Sequence, residues 1–433
     1  MRKIKNGIIA FITCACMMPA TCQFSFAKET TGKVVATQSQ SKIFRSAKVK
    51  IRKGVKVTGA DTRVYNYIKD KTKKLNEGNA SSTTITIPLN VLGLNKPFTK
   101  TQFKKLKAGY NKKTRDLKIS KKNFFKIFET KGINDSNIFL MFYLNDPLEF
   151  SWIKYFGDDV SYYVGQSKNY KLKVKKKKNG YLLYNKKNAL PLTIEPAAAY
   201  GNNGKLSSSG RKRIRSAIAY ANSIIQQNAG YDDLTKLRNY KKAICDLTSY
   251  DDYYESEYKA GYYDDASMIS VFDQNAYTGT ICQGYSRAFK YLCDHTTFQS
   301  PNIKCYIVIG MMKGSEENSS WGGHMWNMVH MSDEKNYVCD ITNSDTGYDD
   351  VSIFMNGATL TDTTGMSYMT NFRNTTETYS LYYRYFNIKP YYADPSVLLP
   401  TTEDYVITTD SEPTAENPEQ INEMNNDNFI FDF

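Results

Sequence analysis

The sequence predicts an α+β protein in which a lysine-rich front module of short strands and helices precedes a cysteine-bearing helix packed on an antiparallel sheet. Three observations predict it. Alternating β-branched and aromatic runs, Ser81–Leu94 and Tyr162–Tyr184, share the front half with helical runs at Thr99–Tyr110 and Ser120–Gly132, the last ending at a glycine. Two amphipathic segments follow, Ser207–Gln227 and Asp232–Tyr250, with apolar residues at three- and four-residue steps. Finally, Thr278–Phe289 (TGTICQGYSRAF) sets Cys282 at the start of a helix, and the strand-like runs Trp321–Met331 and Asn336–Thr342 lie close enough to pair as a hairpin.

From the N-terminus, Arg2, Lys3 and Lys5, the apolar run Gly7–Met18 and the small-residue site Ser25–Ala27 read as a secretory signal over residues 1–27. The apolar run falls short of the ~20 residues that a membrane span needs. The expectation is a secreted or cell-surface protein with no transmembrane segment after cleavage. Removal of Cys14, Cys16 and Cys22 leaves Cys245, Cys282, Cys293, Cys305 and Cys339, an odd number that predicts at least one free thiol. Residues 28–44 are polar and read as a flexible lead.

The 433 residues are enough for two domains, each with its own core. The net charge of +15 is unevenly spread: residues 28–215 carry about +30 and those after 215 about −18. The basic module is placed at 45–205, the Gly/Asn/Ser-rich stretch Tyr200–Arg213 is the joint, and a catalytic-type domain follows at 206–398. In the first long helix Ile214, Ile218, Ala221 and Ile225 are expected to face inward. In the second, N-capped by Asp232 or Asp233, Leu234, Leu237, Ile244 and Leu247 do so, with Cys245 as core packing. Residues 399–433, acidic and without Lys or Arg, are expected to be disordered. Outside a cell the polyanions within reach of the basic module are wall polymers, surface polysaccharides and lipid headgroups, so an anionic cell-wall polymer is the expected partner and nucleic acid is not.

The chemistry centres on Cys282. Tyr285, Phe289 and Leu292 follow it on one stripe, so the thiol is expected to point toward whatever packs on the helix. The N–H groups and dipole of a helix N-terminus favour a thiolate. On the first hairpin strand His324, Trp326, Met328 and His330 share a face. Asp340 sits inside the apolar second strand, where a carboxylate is costly unless paired. A three-residue loop centred on Ser332 would put His324 directly across from Asp340, so that Asp340 orients the imidazole and His324 takes the proton of Cys282. His295 and His330 are read as structural. With no Cys-x-x-Cys near His324 and His330, neither a metal nor a cofactor is called for.

These residues resemble a known family. ICQGYSRAF, GGHMWNMV and YVCDIT look like the three motifs of the bacterial transglutaminase-like superfamily. The resemblance implies a papain/transglutaminase-like core with Cys282 as nucleophile, His324 as base and Asp340 as orienting acid. It implies an amide-bond enzyme (peptidase, amidase or acyl transferase) working through a thioester on a peptide or protein substrate. Leu144–Phe156 (LNDPLEFSWIKYF) is similar to an element found upstream in secreted members, with Leu148 inserted and Ser151 in place of Phe. Asn343 stands where many members carry a tryptophan. Candidates for the second oxyanion donor or the substrate cleft are Gln283, Tyr277, Trp321 and Trp326. The family includes inactive members, so the rival expectation is a catalytically inactive surface or wall-polymer binding protein that works through the basic module.

Overall fold

The computed structural model describes residues 58–118, 121–134, 137–138, 141–142, 145–153, 162–163, 171–250, 266–275, 279–315, 321–345, 353–361, 367–373, 378–385 and 400–405. The expected signal, the lead and most of the acidic tail lie outside these residues. No helix among the described residues is long and apolar enough to cross a membrane.

The front part runs α1 (Gly59–Asn76), β1 (Thr84–Pro88), α2 (Lys100–Leu106), β2 (Tyr110–Asn111), β3 (Asp116–Lys118), α3 (Lys121–Thr130), β4 (Tyr162–Tyr163), β5 (Lys171–Lys177), β6 (Gly180–Tyr184), β7 (Ala189–Ile194), β8 (Gly201–Asn202) and β9 (Lys205–Leu206). Its strands form antiparallel sheets in the orders β1-β7-β4, β2-β3-β5-β6 and β8-β9. α1 is not among the expected elements, although its signals are in the chain. Thr58 and Asp61 form a capping box, and Val64, Ile68, Thr72 and Leu75 make a buried stripe at helical spacing. The expected strand at Tyr162–Tyr184 is broken, its second part being the β5–β6 hairpin, which turns at Gly180 with φ of 141°.

The rear part runs α4 (Ser208–Gln227), α5 (Asp233–Leu247), α6 (Ala266–Phe272), α7 (Cys282–Asp294), β10 (Lys304–Gly314), β11 (Gly322–His330), β12 (Asn336–Asp340), β13 (Ile353–Asn356), β14 (Thr359–Leu360), β15 (Ser367–Arg373) and β16 (Thr378–Tyr385). Ser207 caps α4 and Asp232 caps α5. The inward stripes differ slightly from expectation. Ala217 and Ile224 are buried in α4 where Ile218 and Ile225 are only half-buried, and Lys236 and Tyr240 join Leu237 and Ile244 in α5.

The joint near residue 205 is not a loose connection between two cores. β8 and β9 close it as a hairpin, Gly210 lies so near Tyr200 that a Cβ there would meet the Tyr200 carbonyl oxygen at 2.2 Å, and one apolar cluster runs from Val64 through Trp152 and Ile214 to Met355. Apolar area that would otherwise face solvent on both parts is buried between them.

Seven strands form the antiparallel sheet β13-β12-β11-β10-β16-β15-β14. One face packs Cys305, Val329, Tyr337 and Cys339 against Tyr285, Phe289 and Leu292 of α7. The other gathers Val308, Trp326, Met328, Val338, Tyr368 and Tyr383 into a second cluster. The sheet curls around that cluster: Asn356 Nδ2 at the end of β13 donates to the Asn371 carbonyl on β15 at 3.2 Å, and Thr370 Oγ1 donates to the Gly357 carbonyl at 2.7 Å. The beginning of the expected disordered tail is also docked here, since Thr401 N donates to Asn336 O at 2.8 Å and Tyr405 N to Met355 O at 3.0 Å.

The curl depends on close approach at Gly310, which pairs with both His324 and Tyr385. A Cβ on Gly310 would meet the Arg384 carbonyl oxygen at 2.2 Å and the Trp326 ring at 2.7 Å. Gly310→Ala should therefore destabilise the protein by about 1–3 kcal/mol or more; urea unfolding checks this, and an unchanged midpoint would contradict the packing described.

Candidate active site

Cys282 is the first residue of α7, with Ile281 as N-cap. The segment entering the helix is pinned by Thr280 N donating to Ser249 O at 2.9 Å. Helical bonding starts at Gly284, whose N–H donates to Ile281 O at 2.8 Å, so the N–H groups of Cys282 and Gln283 precede the first intrahelical bond. Thr58, Thr99, Ser207 and Asp232 cap α1, α2, α4 and α5 with their side chains; Ile281 supplies α7 with no such bond. Among these five helices α7 alone lacks a capping side chain, and its first residue is the thiol, on which the N-terminal dipole acts.

The sheet explains how the thiol reaches histidine. Pairing of β11 with β12 ends at Asn327↔Cys339, whereas β11 continues to Gly322 against β10 alone. His324 and Met325 therefore lie on a stretch with one neighbouring strand, and α7 takes the open side. Ser286 Oγ donates to the buried Met325 carbonyl at 2.8 Å, and Asn327 Nδ2 donates back to the Ser286 carbonyl at 3.0 Å. One helical turn earlier, the side chain of Cys282 is hydrogen-bonded to His324.

His324 Nε2 bonds Asp340 Oδ2 at 2.7 Å, with both side chains buried. Nδ1 is the ring nitrogen left for the thiol. The hairpin register differs from the expected one. His330 pairs with Asn336 and Asn327 with Cys339, and Met331–Lys335 form a five-residue loop centred on Asp333 rather than a three-residue loop centred on Ser332. Asp340 is therefore shifted by two residues and reaches His324 diagonally. A two-residue shift preserves the face of the strand, which is why the pair still forms.

Further donors converge on Asp340. Tyr383 Oη donates to Oδ2 at 2.8 Å, Asn343 Nδ2 to the same oxygen at 2.7 Å, and Asn343 N to Oδ1 at 3.2 Å. Burial alone would push the carboxyl pKa up; the imidazolium and the hydrogen bonds from His324, Asn343 and Tyr383 outweigh it and hold the group below its ordinary value. For His324, burial alone would lower the pKa. Asp340 and then Cys282 more than reverse this, and the imidazole stands well above its ordinary value.

The remaining candidates fall into different roles. Gln283 is buried in the first turn beside Cys282, and Tyr277 lies outside the described residues. Trp326 is not a cleft residue: it is fully buried, stacks on His324 with centroids 5.8 Å apart, and donates its indole N–H to Tyr368 Oη at 2.6 Å. Trp321 is half-buried at the rim. Cys245 is half-buried, and burial pushes its thiol up to about 12. His330 bonds Asn336 Oδ1 at 2.9 Å and His295 stacks on Tyr291 at 4.1 Å, both away from the thiol. Among the described residues no group of His, Cys, Asp and Glu could hold a metal ion. A cavity of about 580 Å³ lies at the other end of α7, beside Lys290, Asp294 and Cys305, and the triad does not line it.

Tyr383 has no motif to mark it in the sequence. Its strand signal, the alternation in Thr378–Tyr385, is readable, but its partner 43 residues away is not. The upstream segment Leu148–Trp152 meets the far end of α7 through Glu149: Trp152 is buried, its Nε1 donates to the Glu149 carbonyl at 2.7 Å, and Glu149 Oε1 accepts from Tyr291 Oη at 3.1 Å. No protein-family model matches the chain, and no curated protein matches it.

Two stability predictions follow from the charges. Tyr383→Phe removes a donor to a buried carboxylate and should cost about 1.5–3 kcal/mol at pH 7. Because the folded Asp340 pKa is depressed, this contribution exists above the unfolded value and fades as pH falls through the folded one, so urea titrations at pH 7 and pH 3 should show the deficit shrinking in acid. Asp345, which accepts a hydrogen bond from Tyr285 Oη, is the opposite case: burial raises its pKa to about 6. Its contribution is fully present below the unfolded value and lost as pH rises through about 6. Asp345→Asn should match the parent's melting temperature near pH 4 and exceed it at pH 7.5.

Proposed function

We propose that the chain is an exported, transglutaminase-like cysteine enzyme that acts on amide bonds of peptides or proteins at the cell surface. The observation that carries the reading is the buried chain of contacts from Cys282 to His324 to Asp340, set at an open strand edge and an uncapped helix N-terminus. An α-helix lying on an antiparallel sheet with the thiol at its first residue supports a papain-like core. A surface-binding protein has no need of such an arrangement, since the pair buries charge at a cost in stability.

In the proposed reaction His324 takes the Sγ proton and the thiolate attacks the amide carbonyl carbon. The carbonyl π electrons move onto oxygen, where the Cys282 N–H at the helix terminus is positioned to donate. Collapse of the adduct breaks the C–N bond, and the leaving amine takes the proton from the imidazolium. The thioester is then attacked by water, deprotonated by His324, and an acid is released with the thiol restored. An amine in place of water would form a new amide. Hydrolysis is the proposed outcome, because water is abundant at a cell surface and no lysine-substrate channel is read in the sequence. The lysine-rich front part would hold the enzyme near anionic wall polymers by long-range attraction.

The test is iodoacetamide alkylation of the folded chain between pH 5 and pH 8, with the modified residue located by peptide mass. Cys282 should alkylate at pH 5–6 at a rate within about tenfold of that at pH 8, as an activated thiolate does. Burial holds the thiols of Cys245, Cys293 and Cys339 above their ordinary value, so these should stay unmodified. His324→Ala should abolish the acid reactivity. Acid reactivity that survives that substitution, or none in the parent protein, would defeat the proposal.

A further inference from the structure

Beyond the N-terminus of α7 the same face of the sheet continues, and it changes character. Met311 pairs with Arg384 and Gly323, Lys313 pairs with Tyr382, and Trp321 directly precedes Gly322, the partner of Met312. Residues opposite one another on an antiparallel ladder share a face, so Lys313, Trp321, Tyr382 and Arg384 form one patch. Asn327, whose amide meets Ser286 of α7, marks this as the face on which that helix lies. All four residues are half-buried.

Within the patch two cations converge on one indole. Arg384 Cζ stands 4.7 Å from the centroid of Trp321 and Lys313 Nζ 5.5 Å from it, while Lys313 also lies 5.4 Å from the ring of Tyr382. The aromatic faces compensate part of each charge. Among the described residues neither cation has a carboxylate within ion-pair distance. Two like charges held together by aromatic rings make a local field that attracts an anion, and the Arg fork matches a carboxylate. Trp321 precedes His324 by three residues, about 10 Å along the strand at ~3.3 Å per residue, so the indole and the imidazole lie on opposite faces and the patch meets the site across the open edge of β11, where α7 begins. An extended peptide covers that distance in three residues.

We infer that Lys313 and Arg384, mounted on Trp321, form a carboxylate-binding subsite that selects peptides with an acidic residue about three positions from the attacked amide. This rests on the thiol reading above and deepens it by naming a substrate class.

Trp152 and Trp326 are fully buried, so Trp321 is the one of the three tryptophans at the surface, and indole emission reports on the patch. The experiment titrates the full chain carrying Cys282→Ser, which cannot turn over, with hexaglutamate and with hexaglutamine at low ionic strength. Hexaglutamate should change the emission saturably and hexaglutamine should not. The half-saturating concentration should rise at least tenfold in Arg384→Gln or Lys313→Gln, and should rise with added salt. Equal responses to the two peptides, or a response unaltered in both variants, overturn the subsite. So does hexaglutamate retention without an emission change, which would place binding on the lysines of the front part. Alkylation of Cys282 at pH 6, measured in the Arg384→Gln chain with its thiol intact, should keep the parent rate. A failed subsite thus leaves the thiol reading standing, and a failed thiol reading shows only in the alkylation.

Discussion

The bond between His324 and Asp340 is the constraint on which the rest of the site depends. Both side chains are buried and their atoms are 2.7 Å apart. An ion pair so placed has lost its hydration and persists only when its remaining hydrogen-bonding capacity is met. Tyr383 and Asn343 meet it, and their positions in turn require that β16 lie on one side of β10 and that the chain turn at Thr342–Ser344 directly after β12. Trp326 and Gly310 belong to the same requirement. The indole fills the space beneath the imidazole, and only a residue without a Cβ lets the strands approach closely enough over it. The apolar cluster around Trp326 and Tyr383 is thus the floor of the charged pair as well as a core.

How much of this the sequence discloses depends on whether the determinants are local. Cys282, His324 and Asp340 are legible because each sits in a short run whose period gives its element and face, and a face survives a register error of two. The register itself is not legible. It is set by how Met331–Lys335 close their loop, with Met331 N bonding Lys335 O at 3.0 Å and Glu334 at a positive φ of 61°. The helix stripes of α4 and α5 are nearly right and rotated by about one position, because propensity does not specify which neighbour a helix meets. The pairing of the central strand β10 with β16 is not legible either. The two strands pair across a sequence gap of some 70 residues, and nothing in either run names the other. Tyr383 is invisible as a site residue for the same reason.

The two ends of α7 show why the front part cannot be a mere appendage. At its N-terminus the helix has no capping side chain and begins at a thiol. At its C-terminal end it is held firmly. Lys290 Nζ donates to Asp294 Oδ2 at 2.5 Å and to the Cys305 carbonyl at 3.2 Å, and Tyr291 bonds Glu149, a residue of the front part. Glu149 is buried beside His295, 3.7 Å away, in a setting where burial raises its pKa. The N-terminal half of the helix is tied to β11 through Ser286, and the C-terminal half is tied to a segment more than a hundred residues upstream. The front part therefore contributes in two separable ways. Among the described residues most of its lysines are exposed, while Glu149, in the buried stretch from Leu148 to Trp152, ties it to α7. Charge on the surface could drift without harming this tie, whereas a change at Glu149 or Trp152 would be felt some 18 Å away at Cys282, one helix length at ~1.5 Å per residue.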